Sequence, residues 1–594
     1  MKLSEALRIV QTPAPEGAQS FTLALAFSHT ALHLGTFLAA HLRQALPCRA
    51  VAIASGLYDD LAGSLARFSS STADAIAVVL EWNDFDPRLG LRSLGSWAPD
   101  RLGELLEEAQ RRASRLEELI RSAAQTAPVA VSLPTLPLPP LDHTSTAQSG
   151  VFQCRLQALA ADLALRLAQI PRVQVLSSGA LDRESPAPAR HDVRAELDAG
   201  FPYQLPHADA LARALARLIA PPPPKKGVIT DLDDTLWRGI VGEESAQGVH
   251  WDLEHHAQPH GLYQRLLDSL SRSGTLVAVA SKNDPEVALE ALRRPDILIP
   301  AGRFFPIECH WRPKSESVAR ILDAWNIAAD AAVFIDDNPL ELEEVQRAHP
   351  GIECRLFPRS SPEGVWKLCH DLRDLCGRPV LSPEDELRAA SLRQSADWRR
   401  AASGGSAEED LLAGVNGTVV FSWLKDPSDP RPLELINKTN QFNLNGRRWT
   451  EGDWLAWLRD PLSRLLVVSY RDKFGPLGKI AVAALRAVGG ALTVESWVMS
   501  CRAFSRRIEH HTLKEILDAT SAASLRLNYS PTSRNSPLRE FLSGFAELPD
   551  SEGTVTIEAR RFRELCPPLY HARESDPPPA GPEHPKGKTT APVV

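Results

Sequence analysis

Residues 227–236 read Gly227-Val228-Ile229-Thr230-Asp231-Leu232-Asp233-Asp234-Thr235-Leu236. A short apolar run, Gly227 to Thr230, stops abruptly on carboxylates. That pattern fits a buried strand of a parallel sheet, whose ligands gather beyond the carboxyl ends of the strands. The same pattern recurs downstream. The apolar run Thr275 to Ala280 ends at Ser281-Lys282-Asn283, and Ala331 to Ile335 ends at Asp336-Asp337. Helices are expected directly afterwards, at Asp284-Pro285-Glu286 and at Asn338-Pro339. Each pairs an N-cap side chain with a proline at the first helical position.

These strand ends carry the candidate chemistry. Asp231 and Asp233, at i and i+2, can share one site, where one carboxylate attacks phosphorus and the other handles protons. Ser281 can hold a phosphoryl oxygen. Lys314, in Trp311-Arg312-Pro313-Lys314-Ser315, is a cation able to neutralise charge in the transition state. Asp336 and Asp337 suit a hard, oxygen-preferring ion such as Mg2+. Singly, each has a plainer reading as a helix cap, a turn former or a solvated charge. Four in order, each at a strand or helix end, point to phosphoryl transfer.

Around this core the chain is long, 594 residues, which suggests roughly three to four domains. Hydrophobic residues at 43% and charged residues at 24% match ordinary globular usage. A net charge of −8 from intermixed acids and bases argues against nucleic acid as partner. No apolar run approaches the ~20 residues that span a bilayer, and the opening residues carry no signal-like segment, so a cytoplasmic protein with no membrane partner is expected. The eight cysteines show no CxxC and no ligand-like spacing to histidines, so reduced, mostly buried thiols are expected.

Proline marks the main seam, at Pro221 to Pro224. Upstream, the apolar runs Leu23 to Phe27, Ala75 to Leu80 and Pro128 to Leu133 alternate with helical patterns over Asp100 to Ala124 and Gln153 to Ala168. This predicts an α/β layer with a parallel sheet. Downstream of Ser382 a helical connector is expected, then a body with strands over Leu465 to Tyr470 and Leu492 to Val498. From Leu236 to Thr275 and from Ser281 to Lys314 there is no room for a large lid, and Trp237 to His250 reads as a flap-forming hairpin. Such an open site suits a phosphorylated group presented to a macromolecule.

The four motifs resemble those of the haloacid dehalogenase superfamily. DLDDTLWRGIVGEE, SKNDPE, WRPKSES and VFIDDNP look like its FkbH-like branch, subfamily IIIC. LINKTNQFN is similar to a signature of that branch, and RDKFGPLG with ESWVMSCRAFSRRIE resembles its acetyltransferase-like (GNAT-like) fold. Together these segments span about residues 224 to 530. More weakly, the N-terminal part resembles a degenerate SGNH-hydrolase-like domain, with Ser28 after a strand, Glu81-Trp82-Asn83-Asp84 after another, and His207 late. No GDS-type elbow is present, and a structural role is the reading favoured there. The resemblance implies a multidomain α/β fold with a Rossmann-like core. Its parts would be an SGNH-like domain at 1–222, a capless phosphoryl-transfer domain at 223–378, a connector at 379–406, a GNAT-like α+β domain at 407–571 and a disordered tail at 572–594.

By position, the resemblance implies Asp231 as nucleophile, Asp233 as acid/base, and Ser281 and Lys314 as phosphoryl binders. Mg2+ would be held by Asp231, Asp336 and the Asp233 carbonyl, with Asp337 in reserve. Thr235, Lys282 and Asn283 would contact substrate. In the GNAT-like part the glycines of the Arg-x-x-Gly-x-Gly loop are replaced in Arg502-Ala503-Phe504-Ser505-Arg506-Arg507, and Arg502, Arg506 and Arg507 are candidate contacts to a carrier's phosphopantetheine. The implied chemistry draws a glyceryl group from a phosphorylated three-carbon donor such as 1,3-bisphosphoglycerate. It then loads that group on an acyl carrier protein, in polyketide or related secondary-metabolite assembly. Glyceryl-transferring members place a cysteine before SKN; here it is Ala280, with Cys309 as a possible substitute. Two alternatives stay open: a phosphatase or transferase in surface-polysaccharide assembly, and a carrier-protein docking scaffold.

Overall fold

The computed structural model describes residues 1–93, 101–140, 143–145, 147–378, 381, 392, 408–473, 475–488, 491–504, 506–532 and 534–575. The chain divides into two compact units. One comprises Met1–Pro222 with Trp449–Asp460, the other Pro223–Arg448 with Pro461–Val594. The helix Glu451–Arg459, which lies in sequence within the stretch read as GNAT-like, therefore groups with the first unit.

In the first unit five parallel strands, β1 (Gln19–Phe27), β2 (Arg49–Ser55), β3 (Ala75–Val79), β4 (Val129–Ser132) and β5 (Val173–Val175), run in the order β2-β1-β3-β4-β5. Strand alternation explains its two cores. Ala24, Ala26, Ile76 and Val78 pack with the helices Leu61–Phe68, Leu102–Ala123 and Val151–Ala168. Leu23, Leu25, Phe27, Ala75, Ala77 and Val79 point the other way, towards Leu32–Ala45 and Leu205–Ile219.

The second unit holds two sheets. Strands β6 (Gly227–Thr230), β7 (Leu276–Ser281), β8 (Phe304–Cys309), β9 (Ala332–Asp336) and β10 (Glu353–Leu356) are all parallel, in the order β10-β9-β6-β7-β8. Val228, Val277, Val279, Val333 and Ile335 pack on one face with Tyr263 and Leu267 of the helix Gln258–Arg272 and with the helix Pro362–Cys376. Ile229, Ala278, Ala280 and Phe334 pack on the other with Val318, Ile321 and Trp325 of the helix Lys314–Trp325. From β6 the chain moves outward through β7 and β8, then crosses to β9 and β10. The order reverses between β6 and β9, which opens a crevice beyond their carboxyl ends.

The other sheet is mixed. Strands β11 (Thr418–Ser422), β12 (Phe442–Asn443), β13 (Ser463–Asp472), β14 (Gly475–Val488), β15 (Ala491–Met499), β16 (Ser524–Tyr529), β17 (Gly553–Glu558) and β18 (Ala572–Ser575) follow β17-β16-β15-β14-β13-β11-β18, with β12 on β15. The β15–β16 and β11–β18 pairs are parallel. The protein is thus a multidomain α/β molecule with two parallel sheets and one mixed sheet.

Two expectations change. The sequence reading starts a disordered tail at 572, yet residues 572–575 form β18, held by pairing to β11; residues 576–594 lie outside the described residues. The flap Trp237 to His250 is not a simple hairpin. Arg238 and His250 bridge antiparallel, and a kinked helix, Val241–Gly248, fills the space between them. The expected connector lies outside the described residues except Leu381, which is exposed, and Leu392, which is buried. No helix among the described residues is long and apolar enough to cross a membrane.

Candidate active site at the β6–β9 switch point

Asp231 leaves the end of β6 and Asp336 ends β9, so the reversal of strand order brings their carboxylates together. The Asp231 backbone N–H donates to the Ile335 carbonyl at 3.0 Å, which extends the ladder by one bond and fixes the approach. Lys314, at the start of its helix, reaches between them. Its Nζ is 3.0 Å from Asp231 Oδ2 and 2.5 Å from Asp336 Oδ2, and all three side chains are buried. Asp336 Oδ1 accepts from the Asn338 N–H at 2.9 Å. Asp231 Oδ1 is buried without a hydrogen-bond partner among the described residues.

Burial alone would strip the proton from Lys314, but the adjacent Asp231 and Asp336 outweigh it and hold the ammonium charged. Burial, with the like charge of Asp231, pushes the Asp336 carboxyl up despite Lys314. Asp337 is also raised, first by burial and then by Asp231, against the attraction of Arg359. Carboxylate oxygens of Asp231, Asp336 and Asp337 lie within 4.8 Å of one another. Three hard oxygen donors and one orphaned oxygen make a donor set that a divalent cation such as Mg2+ fits.

Asp233 stands beside this cluster with both oxygens occupied. Oδ1 accepts from Trp237 Nε1 at 2.9 Å and the Val241 N–H at 3.1 Å, and Oδ2 accepts from Asn283 Nδ2 at 3.0 Å. Its carboxyl is nevertheless raised, because burial and the neighbouring Asp231 outweigh those donors. A carboxylate held beside a cation, next to a second carboxyl with raised pKa, is an arrangement that general acid catalysis can use.

Of the other expected residues, Asn283 bridges the group, since its Nδ2 also reaches Ser281 Oγ at 3.1 Å. Lys282 points instead to Glu341, with Nζ to Oε1 at 2.7 Å. Thr235 is fully buried, and its carbonyl faces His260 Nδ1 at 3.0 Å. Arg506 is a correction. It is 1% exposed, with its guanidinium beside Asp472 and 5.7 Å over the Tyr470 ring, so it lies inside the sheet rather than on a carrier-binding surface. Arg507 caps the helix Ile508–Thr520 in the left-handed conformation and donates to the Pro568 carbonyl at 3.1 Å. The Arg502 side chain lies outside what is described. The NKTNQFN run forms a helix end and β12. Its Gln441 exchanges two amide hydrogen bonds with Asn326, of 3.0 and 2.9 Å.

Two residues escaped the sequence reading. Arg359, in the loop after β10, ties Asp234 Oδ2 at 2.6 Å to Asp337 Oδ2 at 3.1 Å. No local pattern marks it, because one partner is over a hundred residues upstream and the other lies just past the end of β9. Trp237 is four residues beyond Asp233, and an indole N–H at that offset was the available signal.

Cys309 ends β8 opposite Ser281 in the ladder. Burial, with Asp231, Glu308 and Asp233 nearby, pushes its thiol up to about 12, so it behaves as a packed side chain. Ala280 is fully buried.

In the first unit, a cavity of about 670 Å³ lies beside the analogous reversal between β1 and β3, lined by Ser28, His29, Asp59, Asn83, Asp84 and Arg92. Ser28 Oγ meets His29 Nδ1 and Asn83 Nδ2, each at 3.3 Å. His207 is elsewhere, bonded to Thr135 and Ser185 and held neutral by burial at a pKa of about 3. Glu81 is buried under donors from Thr135, Leu136 and Tyr203. Ser28 and His207 are therefore not assembled into a pair. Despite its size, this cavity carries no carboxylate–lysine cluster of the kind found at β6 and β9 among the described residues that line it.

No family model matches the chain, and no curated protein matches it. Among solved structures, the chain is similar to the N-terminal part of the protein BF1531 from Bacteroides fragilis, described as containing a phosphatase domain and complexed with Mg. The two share 18% identity at a TM-score of 0.50, over 64% of this chain and all of that one. That likeness concerns the fold. A second structure, of a UDP-N-acetylglucosamine 2-epimerase from Listeria monocytogenes, matches at 10% identity and a TM-score of 0.15, over 64% of this chain and 97% of that one, too low to bear on fold.

Proposed function

We propose that the chain is a Mg2+-dependent phosphoryl-transfer enzyme of the haloacid-dehalogenase type, using Asp231 as nucleophile. The observation that carries this reading is the buried Asp231–Lys314–Asp336 cluster at the strand-order reversal, with a raised carboxyl, Asp233, beside it. The Mg-complexed phosphatase domain of the Bacteroides neighbour supports it from the fold.

The residues divide the work as follows. An Asp231 carboxylate oxygen attacks phosphorus while the bond to the leaving oxygen breaks, and Asp233 gives that oxygen its proton. Lys314, with Ser281, takes up charge on the phosphoryl oxygens. Asp233, now ionised, takes a proton from water as the water attacks the aspartyl phosphate. Inorganic phosphate leaves and Asp231 is restored. Mg2+ would be held by Asp231, Asp336 and the Asp233 carbonyl, with Asp337 near, and would supply charge neutralisation for the phosphoryl group. Asn283 orients Asp233 and Ser281 together through one amide.

The finer reading is that the substrate is a phosphorylated three-carbon acyl unit and the acceptor an acyl carrier protein. The FkbH-like segments support it; Ala280 and the inert thiol of Cys309 leave no cysteine at the expected place to hold the acyl group. Direct transfer fits better than a glyceryl-enzyme: the carrier's own thiol attacks the C1 carbonyl and the C1 phosphate leaves, while the Asp231 steps remove the phosphate on C3. Incubation with Mg2+, 1,3-bisphosphoglycerate and a phosphopantetheinylated carrier, followed by intact mass of the carrier, tests it. A glyceryl-sized gain absent with Asp231→Asn supports loading; an unchanged carrier alongside phosphate release leaves a phosphatase with another acceptor.

A further inference from the structure

The flap that leads away from Asp233 ends in a turn whose sequence is His250-Trp251-Asp252-Leu253-Glu254-His255. His250, Asp252 and His255 each offer one donor atom, and the three atoms lie within 4.8 Å of one another. The two imidazoles stack with centroids 3.5 Å apart and planes 6° from parallel. His255 Nδ1 lies 2.8 and 2.9 Å from the two Asp252 oxygens, and His250 Nδ1 lies 3.9 Å from Oδ2.

The turn is anchored by backbone bonds and by Trp251 as well as by the Asp252 carboxylate. Trp251 is buried, donates to the Asp296 carbonyl at 3.2 Å, and carries the Arg294 guanidinium 4.2 Å over its ring. The Ala257 N–H donates to the Asp252 carbonyl at 2.8 Å, and the His255 N–H to Asp252 Oδ1 at 2.9 Å. Arg238 and His250 exchange backbone bonds of 2.8 and 3.1 Å, and Arg238 Nη1 donates to the His255 carbonyl at 3.0 Å. The donors therefore sit on a braced turn, with the rings 29% and 47% exposed, and joint ligation of one ion requires the two parallel rings to turn out of their stack.

We propose that His250, Asp252 and His255 form a second metal site, for Zn2+ or a similar transition-metal ion, at the base of the flap. Two imidazoles are borderline nitrogen donors, and with one carboxylate they favour such ions over Mg2+, which prefers an all-oxygen set. Three protein ligands leave a fourth tetrahedral position to water. Occupancy ties the flap's return strand to its own turn, and through Arg238 and Trp237 it stiffens the segment that donates to Asp233. The site is separate from the Asp231 cluster and does not depend on the function proposed for it.

Full-length protein stripped with chelator and returned to saturating Mg2+ would be titrated with Zn2+ by calorimetry and with Co2+ by visible absorption. The expected result is one strong equivalent, a tetrahedral Co2+ spectrum and a raised melting temperature. His250→Ala/His255→Ala would abolish the spectrum, and Asp252→Asn would weaken binding by at least ~10-fold. Because the double variant could unfold, metal-free melting is read alongside, and Asp252→Asn serves as the folded comparison. Absence of a Zn2+ equivalent, or an equal affinity in folded variants, overturns the proposal.

Discussion

Removing the ammonium of Lys314 would leave Asp231 and Asp336 facing each other in the interior with no cation between them. Loss of one partner from a buried, charged group costs about 3–5 kcal/mol. Lys314→Ala is expected to melt markedly earlier without Mg2+, and Mg2+ should recover more stability in the variant than in the wild type, as read by thermal unfolding. Asp233 gives a second prediction. Burial holds its carboxyl above the usual range, and as acid it must be protonated. Therefore kcat/KM falls as pH rises through that raised pKa, and Asp233→Asn, slower by ~10²–10⁴-fold, loses this alkaline limb. At this scale the sequence shows Asp231, Asp233, Ser281, Lys314 and Asp336 because each sits at a strand or helix end. Arg359 is silent in the sequence, since its partners are set by tertiary structure. Arg506 misleads for the same reason, because nothing local reveals that it is buried beside Asp472.

Among elements, β6 is central and tightly covered. A Cβ on Gly227 would lie 2.3 Å from the Trp325 ring, whose own N–H is fixed to the Phe305 carbonyl at 2.6 Å. Gly227→Ala should destabilise by about 1–3 kcal/mol through overpacking, measurable by denaturant unfolding. At the edge of the mixed sheet, His511 and His571 meet at 3.4 Å just before β18. Burial lowers both to about 4 from the ordinary 6.5, with their neighbours' positive charge adding to it. A depressed histidine contributes stability that is present above 6.5 and lost as pH falls towards 4. Amide exchange across residues 572–575 should accelerate over that window and change less in His511→Gln/His571→Gln. The strands around the site are legible as apolar runs, but the kinked flap helix and β18 are not. Val241–Gly248 is too short and polar for a periodic signal, and β18 owes its form to pairing with β11.

Over the whole molecule, the two parallel sheets follow from alternation between apolar runs and helical patterns, the mixed sheet is marked in sequence by two strands, and the seam at Pro221–Pro224 falls at the contact boundary between Pro222 and Pro223. The grouping of Trp449–Asp460 with the first unit has no counterpart in local pattern, because it depends on long-range packing such as the Arg459 side chain donating to the Gln125 carbonyl at 2.5 Å. What the chain shares with the Bacteroides structure is fold, over 64% of its length; the proposed chemistry rests on a few side chains at one strand-order reversal. The most direct test follows phosphate release and the intact mass of the full-length protein with Mg2+ and a small phosphoester, for the wild type, Asp231→Asn and Asp233→Asn. The account predicts Mg2+-dependent turnover in the wild type, loss of at least about 10⁴-fold in Asp231→Asn, and a trapped phosphoryl group on Asp231 in Asp233→Asn. Undiminished phosphate release by Asp231→Asn would contradict it.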